Sequence, residues 1–502
     1  MTVNRQPEPA VAGGTLHQEH EKSLSKHVLK NSFFILLARG IQLLSAFVVA
    51  IVVARHLSIT QYGEYSFLVA YVSSIMALAY FGIQQTLIRE IAKGGVSAGE
   101  VLGAAVRLRT SLSLIAATII VASLFFMKLP RMLVEAGLIA VASEFCLSFS
   151  MLSKAMFQAF EKMVYEPLVS VLYSAALLAG VATVMIFKGG FLWLFFALAM
   201  ANFVQLTAAS VIISKRFIRP VFTLERGLYK RFFKDSLVIG VGIFFYQNLF
   251  KINVLMLRWV GSVNDVSFFS APHNLIMQLQ VVPLSLTTAI FPVFSRLIST
   301  DRERMIATFE KIFRVMFLAS AFAAVMLSLY SREIILLVFS NKFEQSVAAL
   351  AIMSWAVIPL TLDMLLNGVL IAMNKQKYSV IYAGVTIAVN VLASLLLIPR
   401  YGFIAASYIA VLSYTLLFLC SWYITARNGV KIAMTRTVVN TIVATGMAAA
   451  AIMIVKPYSI IAALFAGTGA FCLAVMATGA ITVQELMLMR ESLRTPRRTN
   501  LT

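Results

Sequence analysis

Charged residues are scarce in this sequence, and acidic residues are scarcer than basic ones. Only 13% of the 502 residues are Asp, Glu, Lys or Arg, whereas 60% are hydrophobic; a soluble domain typically carries about 25% charged residues. The composition therefore excludes an ordinary soluble protein and predicts one that crosses a membrane many times. The 42 Lys and Arg, against 21 Asp and Glu, lie between apolar runs rather than along one face, so we expect no nucleic-acid partner.

Several functional signatures are also missing. The three cysteines, Cys146, Cys420 and Cys472, stand singly inside apolar segments, which fits neither a disulfide framework nor a metal site. No Gly-x-x-x-x-Gly-Lys loop occurs, which argues against an ATPase. The polar segment around His17 and His20 is interpreted as a disordered tail, and no cleavable signal peptide is expected because the first apolar stretch is too long. We predict no metal and no catalytic residues, so the protein is not expected to be an enzyme.

Apolar sequence in long uninterrupted runs is what the chain has in abundance. A membrane-spanning helix needs about 20 mostly apolar residues, and continuous rather than alternating runs indicate helices instead of strands. The sequence predicts an all-α integral membrane protein with about fourteen transmembrane helices. They lie near 29–54, 65–85, 110–127, 133–154, 167–187, 191–213, 236–259, 266–294, 313–330, 346–372, 378–398, 402–425, 437–455 and 459–482.

The distribution of Lys and Arg predicts the orientation. With the N-terminus placed inside, 31 of the 42 Lys and Arg fall in inside segments and nine in outside turns. Because short cytoplasmic loops carry an excess of basic residues, we expect both termini in the cytoplasm. The most basic connection, residues 215–234 with seven Lys and Arg, is predicted to tether two halves of the chain on the cytoplasmic side. Its charge would also attract anionic lipid headgroups.

Two pairs of turns recur at nearly the same spacing. Arg55-His56-Leu57 matches Arg258-Trp259-Val260 at an offset of 203 residues. Lys188-Gly189-Gly190-Phe191 matches Arg400-Tyr401-Gly402-Phe403 at an offset of 212. We interpret this as a parallel repeat of two six-helix lobes followed by two additional helices. The predicted division is a disordered cytoplasmic tail at 1–27, a lobe at 28–213, the basic tether at 214–235, a second lobe at 236–426, helices 13 and 14 within 427–484, and a basic cytoplasmic tail at 485–502.

The same turns carry a resemblance to a known family. The run from Arg55-His56-Leu57 through Tyr62-Gly63-Glu64-Tyr65-Ser66, followed by Phe81-Gly82-Ile83, resembles the opening signature of bacterial oligosaccharide flippases. These are the polysaccharide transport proteins of the multidrug/oligosaccharidyl-lipid/polysaccharide exporter superfamily. Leu397-Ile398-Pro399-Arg400-Tyr401-Gly402 is similar to that family's second signature, and the resemblance spans roughly residues 28–430.

The resemblance implies a function. Members of that family move lipid-diphosphate-linked oligosaccharide across the bacterial inner membrane through a central cavity that opens alternately to each side. We therefore expect a lipid-linked oligosaccharide as substrate, contact with membrane lipids, and a polymerase and glycosyltransferases of the same pathway as partners. A cation-coupled exporter of small molecules on the same fold is an alternative. A membrane-embedded polysaccharide polymerase is disfavoured, because no long extramembrane loop is available for its chemistry.

Two cations inside predicted helices are candidates for binding the diphosphate. Arg39 lies in the cytoplasmic part of helix 1, and Lys251 lies in the outer half of helix 7. Buried charges are costly in a bilayer and usually face a cavity or a partner. A guanidinium offers two parallel donors to phosphate oxygens, and an ammonium acts as a point charge. The alternative is that both side chains reach towards the nearer membrane interface.

Two carboxylates and a row of amides complete the candidate site. Glu144 in helix 4 and Asp363 in helix 10 are predicted to bind a coupling ion, H⁺ or Na⁺, although ion pairing with Arg39 or Lys251 is an equal alternative. No other cofactor is expected. A row of amide side chains on helices 7 and 8 could line a sugar path or merely join helices; its members include Gln247, Asn248, Asn274 and Gln278.

Overall fold

The computed structural model describes residues 34, 37, 38, 40–222, 226–373, 375–430 and 434–479. Over these residues the regular secondary structure is helical, with short 3₁₀ turns at Asn341–Phe343 and Ser354–Ala356. The α-helices, in chain order, are α1 (Gly40–His56), α2 (Ile59–Tyr80), α3 (Ile83–Lys93), α4 (Ala98–Phe126), α5 (Arg131–Ala159), α6 (Tyr165–Ile186), α7 (Phe191–Arg216), α8 (Arg226–Leu249), α9 (Ile252–Val260), α10 (Val263–Leu279), α11 (Val281–Thr300), α12 (Arg302–Leu329), α13 (Ser331–Phe339), α14 (Ser346–Met353), α15 (Val357–Ala372), α16 (Lys377–Arg427), α17 (Met434–Val455) and α18 (Ile460–Ala477).

Among the residues that the structure describes, ten helical segments are long and apolar enough to cross a membrane, and the bent pair α8–α9 makes an eleventh. Helix α16 has 51 residues, roughly 75 Å at 1.5 Å per residue, which is about twice the span of a bilayer. Gly402 interrupts it with φ 55° and ψ −137°, so α16 is two crossings that fold back on each other. With α1 and the apolar pair α10–α11 added, fourteen apolar segments follow one another in the predicted order. The fold class predicted from the sequence is confirmed.

Three breaks shape the helices. Gly82 separates α2 from α3 and has φ 71°, a left-handed conformation that glycine adopts without a steric penalty. Residues 250 and 251 separate α8 from α9, and the helix axis turns by 55° there. The third break is Gly402, which lies beside the carboxylate of Asp265. No proline stands at the break between α8 and α9, so tertiary contacts fix that bend.

The helices form two sets that pack mainly within themselves. In the N-terminal lobe, α5 packs on α7, α2 and α4, and α6 packs on α7. In the C-terminal lobe, α16 packs on α8, α9 and α15, and α15 packs on α11 and α12. Helices α17 and α18 pair with each other and rest on α12. The two lobes meet chiefly where α2 contacts α10 and where α2, α3 and α4 contact α8.

The repeat is visible in the way two helices begin. Ser58 caps α2 in a capping box with Gln61, and Ser262 caps α10 in a capping box with Asp265. Each serine accepts a hydrogen bond from a backbone N–H that the first helical turn leaves free, and the third residue binds back to the cap. The two caps stand 204 residues apart, as do Thr60 and Asn264, which hydrogen-bond to each other across the lobes. Equivalent helices of the two lobes therefore face each other at this point.

Large apolar side chains cover the outside of both lobes. Phe126, Ile186 and Leu396 are 86%, 75% and 72% exposed. Water would not tolerate so much apolar surface on a monomer, but a bilayer solvates it. An unbroken helix satisfies its backbone polar groups internally, as a membrane requires, and at the Gly402 break the N–H of Phe403 donates to the carboxylate of Asp265 at 3.3 Å.

Candidate functional site

A cavity of about 270 Å³ lies between the two lobes. Its walls come from α2 and α3, from α5 and from the end of α8. It is bordered by two opposite charges, Glu144 and Lys251, and by three glutamine side chains. The lining residues are Ser73, Tyr80, Gln84, Gln85, Glu144, Leu147, Met151, Ile243, Gln247 and Lys251.

Lys251 stands at the break between α8 and α9. Its backbone N–H donates to the carbonyl of Asn248 at 2.9 Å, and its own carbonyl accepts from Leu255 at 3.2 Å, so it serves as the N-cap of α9. The ammonium group of Lys251 thus places positive charge at one border of the cavity.

Glu144 supplies the negative charge of the cavity. Its Oε2 accepts a hydrogen bond from the hydroxyl of Tyr80 at 3.1 Å, and Lys251 attracts it electrostatically. The two charges are not in direct contact, because no ion pair within 4.0 Å joins them. An anionic ligand would therefore bind Lys251 and displace Glu144 from it, and a cationic ligand would bind Glu144 and displace Lys251.

Arg109 is a charged residue that the sequence analysis did not single out. It is fully buried in α4, and its guanidinium lies over the ring of Tyr80 at 5.3 Å. None of its three guanidinium nitrogens has a hydrogen-bond partner among the described residues. An unpaired buried charge is expensive, and the face of Tyr80 compensates only in part. Arg109, Tyr80 and Glu144 thus form a line from the core of the N-terminal lobe to the cavity.

The structure brings some of the predicted site residues together and separates others. Lys251 and Gln247, predicted to bind substrate, and Glu144, predicted to bind a coupling ion, all border the cavity. Arg39 lies outside the described residues. Gln278 lies on α10, outside this cavity, with its amide oxygen buried and unpaired in the described part of the chain.

Two of the predicted amides join the lobes instead of lining the cavity. The side chain of Asn248 donates to the carbonyl of Phe244 at 2.9 Å and to that of Ser74 at 3.4 Å. The side chain of Asn274 donates to the hydroxyl of Tyr62 at 3.4 Å. These contacts correspond to the alternative in which the polar row connects helices.

Asp363 occupies a separate place in the C-terminal lobe. It is 1% exposed, and Ser421, Tyr246 and Tyr382 lie close to its carboxylate. Its Oδ1 has no hydrogen-bond partner within the described ranges. Glu144 and Asp363 therefore do not share one cavity, and an ion at one would not bridge to the other. The described residues contain no cluster of three or more metal-ligating side chains.

The membrane face that carries Arg55, Lys188, Arg400 and Lys456 is called the outer face here, following the charge count. At this face the two lobes meet in a contact that we call the outer seal. In it, the start of α2 and the turn before α2 contact α10, α13 and Lys342. Arg55 donates from Nε to the carbonyl of Val338 at 3.0 Å and from Nη2 to that of Leu337. Lys342 donates in return to the carbonyls of Arg55 and Leu57 at 2.8 and 3.0 Å.

Close backbone packing completes the outer seal. A Cβ atom on Gly63 would lie 2.2 Å from the carbonyl oxygen of Val263, so only glycine lets α2 and α10 approach this closely. The hydroxyl of Ser267 donates to the carbonyl of Ile59, and the ring of Tyr62 packs edge-on against Phe343 at 5.3 Å. The cavity is thus closed towards the outer face.

An inner contact joins the lobes at the opposite face, between α3 and the first turns of α8. Glu90 binds Lys93 at 2.6 Å and Arg231 at 3.2 Å, and Arg89 pairs with Asp235. A Cβ atom on Gly82 would lie 2.5 Å from the carbonyl oxygen of Ser236. Helix α8 begins at Arg226, so the second part of the predicted basic tether is helical where it makes this contact.

Solved structures match this fold over most of the chain. Lipid II flippase MurJ in an inward closed conformation gives a TM-score of 0.69 at 12% identity, with 93% of this chain and 100% of that chain covered. An inward-facing multidrug resistance transporter of the MATE family and MOP superfamily gives 0.64 at 16% identity, with 77% and 94% covered. A MATE transporter of Vibrio cholerae, VcmN, gives 0.60 at 13% identity, with 81% and 97% covered.

The fold and the charged cavity between two helical lobes define the class: a multi-pass membrane protein whose fold is similar to that of lipid II flippase MurJ and of MATE transporters. A family model described as "Polysaccharide biosynthesis protein" matches residues 28–298, more than half of the chain. The chain belongs to this polysaccharide biosynthesis protein family. No curated protein matches its sequence.

Proposed function

We propose that this protein carries lipid-diphosphate-linked oligosaccharide across the bacterial inner membrane for the synthesis of a cell-surface polysaccharide. The observation that carries the proposal is Lys251, a cation at the broken end of a spanning helix that borders a cavity between two lobes. Broken membrane helices place substrate groups at their half-helix ends in many transporters. The family and fold are those of transporters, so the substrate is proposed to cross without chemical change.

The cavity suits both parts of such a substrate. The ammonium of Lys251 would hold the diphosphate, because it presents positive charge in a region of low dielectric constant. The amides of Gln84, Gln85 and Gln247 offer donors and acceptors to sugar hydroxyls. Arg39 is proposed as a further cation that the diphosphate meets on entry.

We assign Glu144 the role of a removable counter-charge. While the cavity is empty, Glu144 faces Lys251 and accepts from Tyr80. A diphosphate at Lys251 would repel this carboxylate, and the repulsion ends if Glu144 takes up a proton or binds Na⁺. Ion coupling at Glu144 is therefore proposed as the source of energy, and Asp363 is proposed as a second, separate ion site.

Arg109 is proposed to position Tyr80 and, through it, Glu144. A purely structural buried charge without partners gains nothing for the fold, so Arg109→Met should leave thermal stability unchanged or higher. Export should nevertheless fall several-fold, and Arg109→Lys should restore part of it because a positive charge again lies over the ring of Tyr80. Arg258→Met is the matched control, since Arg258 stacks on Phe67 at 5.5 Å in the same way but lies away from the cavity. If Arg109→Met lost thermal stability as well as export, the loss of export would follow from poorer folding, and the positioning role of Arg109 would be refuted.

The decisive experiment is complementation of a transporter-null strain with Lys251→Met. The side chain keeps its length and loses its charge, so the protein should reach the membrane at wild-type level while surface glycan falls at least about tenfold, the effect of losing about 1.4 kcal/mol of substrate binding. Lys251→Arg should retain part of the activity. Lys188→Met, an exposed lysine at the outer face, is the control. Wild-type glycan export by Lys251→Met at normal abundance would refute the proposal.

The rival function is cation-coupled export of small molecules, which the match to multidrug transporters and the carboxylate in the cavity favour. The two functions separate in one assay. If Glu144→Gln abolished efflux of a lipophilic cationic dye while glycan export continued, the small-molecule function would be the correct one. If glycan export stopped and dye efflux never exceeded that of the null strain, the flippase proposal would stand.

A further inference from the structure

A groove of about 630 Å³ runs between the two halves of α16, away from the cavity between the lobes. We propose that it binds an anionic phospholipid of the membrane leaflet in which α16 begins and ends. The groove is lined by Tyr378, Ile381, Tyr382, Val385, Cys420, Tyr423, Ile424, Arg427 and Asn428. Its volume lies within the range of specific small-molecule sites, about 300–1,000 Å³.

The walls of the groove face the lipid phase. Ile381 and Val385 on one stretch of α16, and Tyr423 on the facing stretch, are 61%, 50% and 58% exposed. Because this surface belongs to a membrane-spanning hairpin, its solvent is hydrocarbon. The aliphatic part of an occupant is therefore an acyl chain, and the residues at the mouth of the groove determine which headgroup it carries.

The charges at the mouth select an anionic headgroup. Arg427 lies on the groove with its guanidinium 5.7 Å above the ring of Tyr423. Lys377 lies with its ammonium 5.4 Å above Tyr378. The reversal of α16 at Gly402 brings these two ends of the helix to the same membrane face, and no carboxylate lines the groove. Basic pockets between helices at the cytoplasmic face are suited to anionic lipid headgroups.

A third cation adds to the site. Arg302 donates to the backbone carbonyl of Asn428, which is a lining residue. Its guanidinium therefore adds positive charge at the end of the groove that carries Arg427.

The test uses the purified full-length protein in a neutral detergent and needs no transport assay. Binding of phosphatidylglycerol and of phosphatidylcholine is measured by native mass spectrometry, with thermal unfolding as the second readout. We expect wild type to bind phosphatidylglycerol at least tenfold more tightly than phosphatidylcholine. The double variant Arg427→Gln/Lys377→Gln should lose this preference, whereas Arg400→Gln, an exposed arginine at the other end of the same hairpin, should keep it.

A second variant tests the groove itself. Val385→Trp fills the lipid-facing wall without touching a charge, so phosphatidylglycerol binding should fall although the protein stays folded. The proposal is overturned if the two lipids bind equally to wild type, or if both the charge variant and Val385→Trp bind phosphatidylglycerol as wild type does. It is also overturned if a polyprenyl phosphate displaces phosphatidylglycerol at equal concentration, because the groove would then hold the substrate's lipid tail.

Discussion

The two lobes touch at both faces of the membrane, and in each contact a glycine packs against a backbone carbonyl, Gly63 at the outer seal and Gly82 at the inner contact. The polar side chains around the two glycines differ. At the outer seal, Arg55 and Lys342 donate to backbone carbonyls, and Gly63 lets two helix backbones meet. At the inner contact, the buried carboxylate of Glu90 is surrounded by three cations, Arg89, Lys93 and Arg231, that are 45%, 48% and 59% exposed.

The difference predicts which contact holds the observed state. Exposed ion pairs contribute roughly 0.2–1 kcal/mol each and weaken as salt screens them. Backbone packing at Gly63 and at Gly82 is not screened, so salt acts on the ion pairs of the inner contact alone. We therefore expect ionic strength to loosen the inner contact and to leave the outer seal unchanged. Under the proposed alternating access, opening of the outer seal would then not depend on salt.

The largest effect is expected from locking the outer seal. Thr60 donates to Asn264 across the lobes at 3.0 Å, so Thr60→Cys/Asn264→Cys should form a disulfide in a background without the three native cysteines, which are free in the described structure. Oxidation should stop glycan export, and a reductant should restore it. Thr60→Cys alone, oxidised in the same way, is the control. Full export with the disulfide in place would mean that the lobes need not separate here.

A smaller effect is expected from forcing the outer seal apart. In Gly63→Ala the new methyl group would meet the Val263 carbonyl at 2.2 Å and the Ser267 hydroxyl at 2.6 Å. Separation of α2 from α10 should raise the labelling rate of a cysteine at the buried position of Ser267 by about tenfold or more, since each 1.4 kcal/mol shifts the equilibrium tenfold. Gly446→Ala, with open space around its Cβ, should change nothing. Equal labelling in both variants would contradict the seal.

The sequence predicted the number and order of the spans because the bilayer leaves few choices. A backbone in hydrocarbon must satisfy its own hydrogen bonds, so each long apolar run becomes a helix. The repeat could also be predicted from the recurring turns. Ser58 and Ser262 form equivalent capping boxes at the starts of α2 and α10, so these turns keep similar residues. The resemblance then supplied a substrate class that neither composition nor spacing contains.

The sequence could not predict which polar side chains reach the cavity. Gln247 and Asn248 are neighbours in sequence, yet one borders the cavity and the other binds Ser74, because helix rotation is set by packing. Arg109 was counted in a cytoplasmic connection, whereas α4 begins at Ala98 and places it three turns inside the helix. Apolar residues at helical spacing before Arg109, such as Val101 and Ala105, could have indicated that the helix begins earlier.

A still smaller effect, a several-fold change in cysteine labelling, is expected at the inner contact, and it should depend on salt. Ser236 and Ser267 are both buried at the lobe interface, on α8 and α10, so cysteines there make a matched pair of probes. Raising ionic strength from about 0.01 to about 1 M shortens the screening length from about 30 to 3 Å. Labelling at 236 should then rise several-fold while labelling at 267 stays constant. Glu90→Gln should raise labelling at 236 even in low salt. A salt effect of equal size at both positions would erase the distinction between the contacts.

The smallest effect concerns the tie between the outer seal and the last two helices. Helix α13, which accepts the hydrogen bonds of Arg55, carries Glu333, and Lys456 from the turn before α18 binds Glu333 at 2.9 Å. Burial alone would raise the pKa of Glu333, but the hydrogen bond and charge of Lys456 hold that pKa below its ordinary value. A lowered pKa stabilises the fold at a pH above the ordinary value for glutamate, and this stabilisation is lost as the pH falls through the pKa of the folded state.

Thermal unfolding of wild type and Glu333→Gln at pH 7 and at low pH measures this tie. Both side chains of the pair are about 30% exposed, so we expect it to contribute no more than about 0.5 kcal/mol. Wild type should lose slightly more stability than Glu333→Gln on acidification, and Lys456→Met should erase the same difference. The double variant should add nothing further, because the two groups act through one interaction. If Glu333→Gln instead lost as much stability on acidification as wild type, α17 and α18 would rest on α12 without this ionic link to the outer seal.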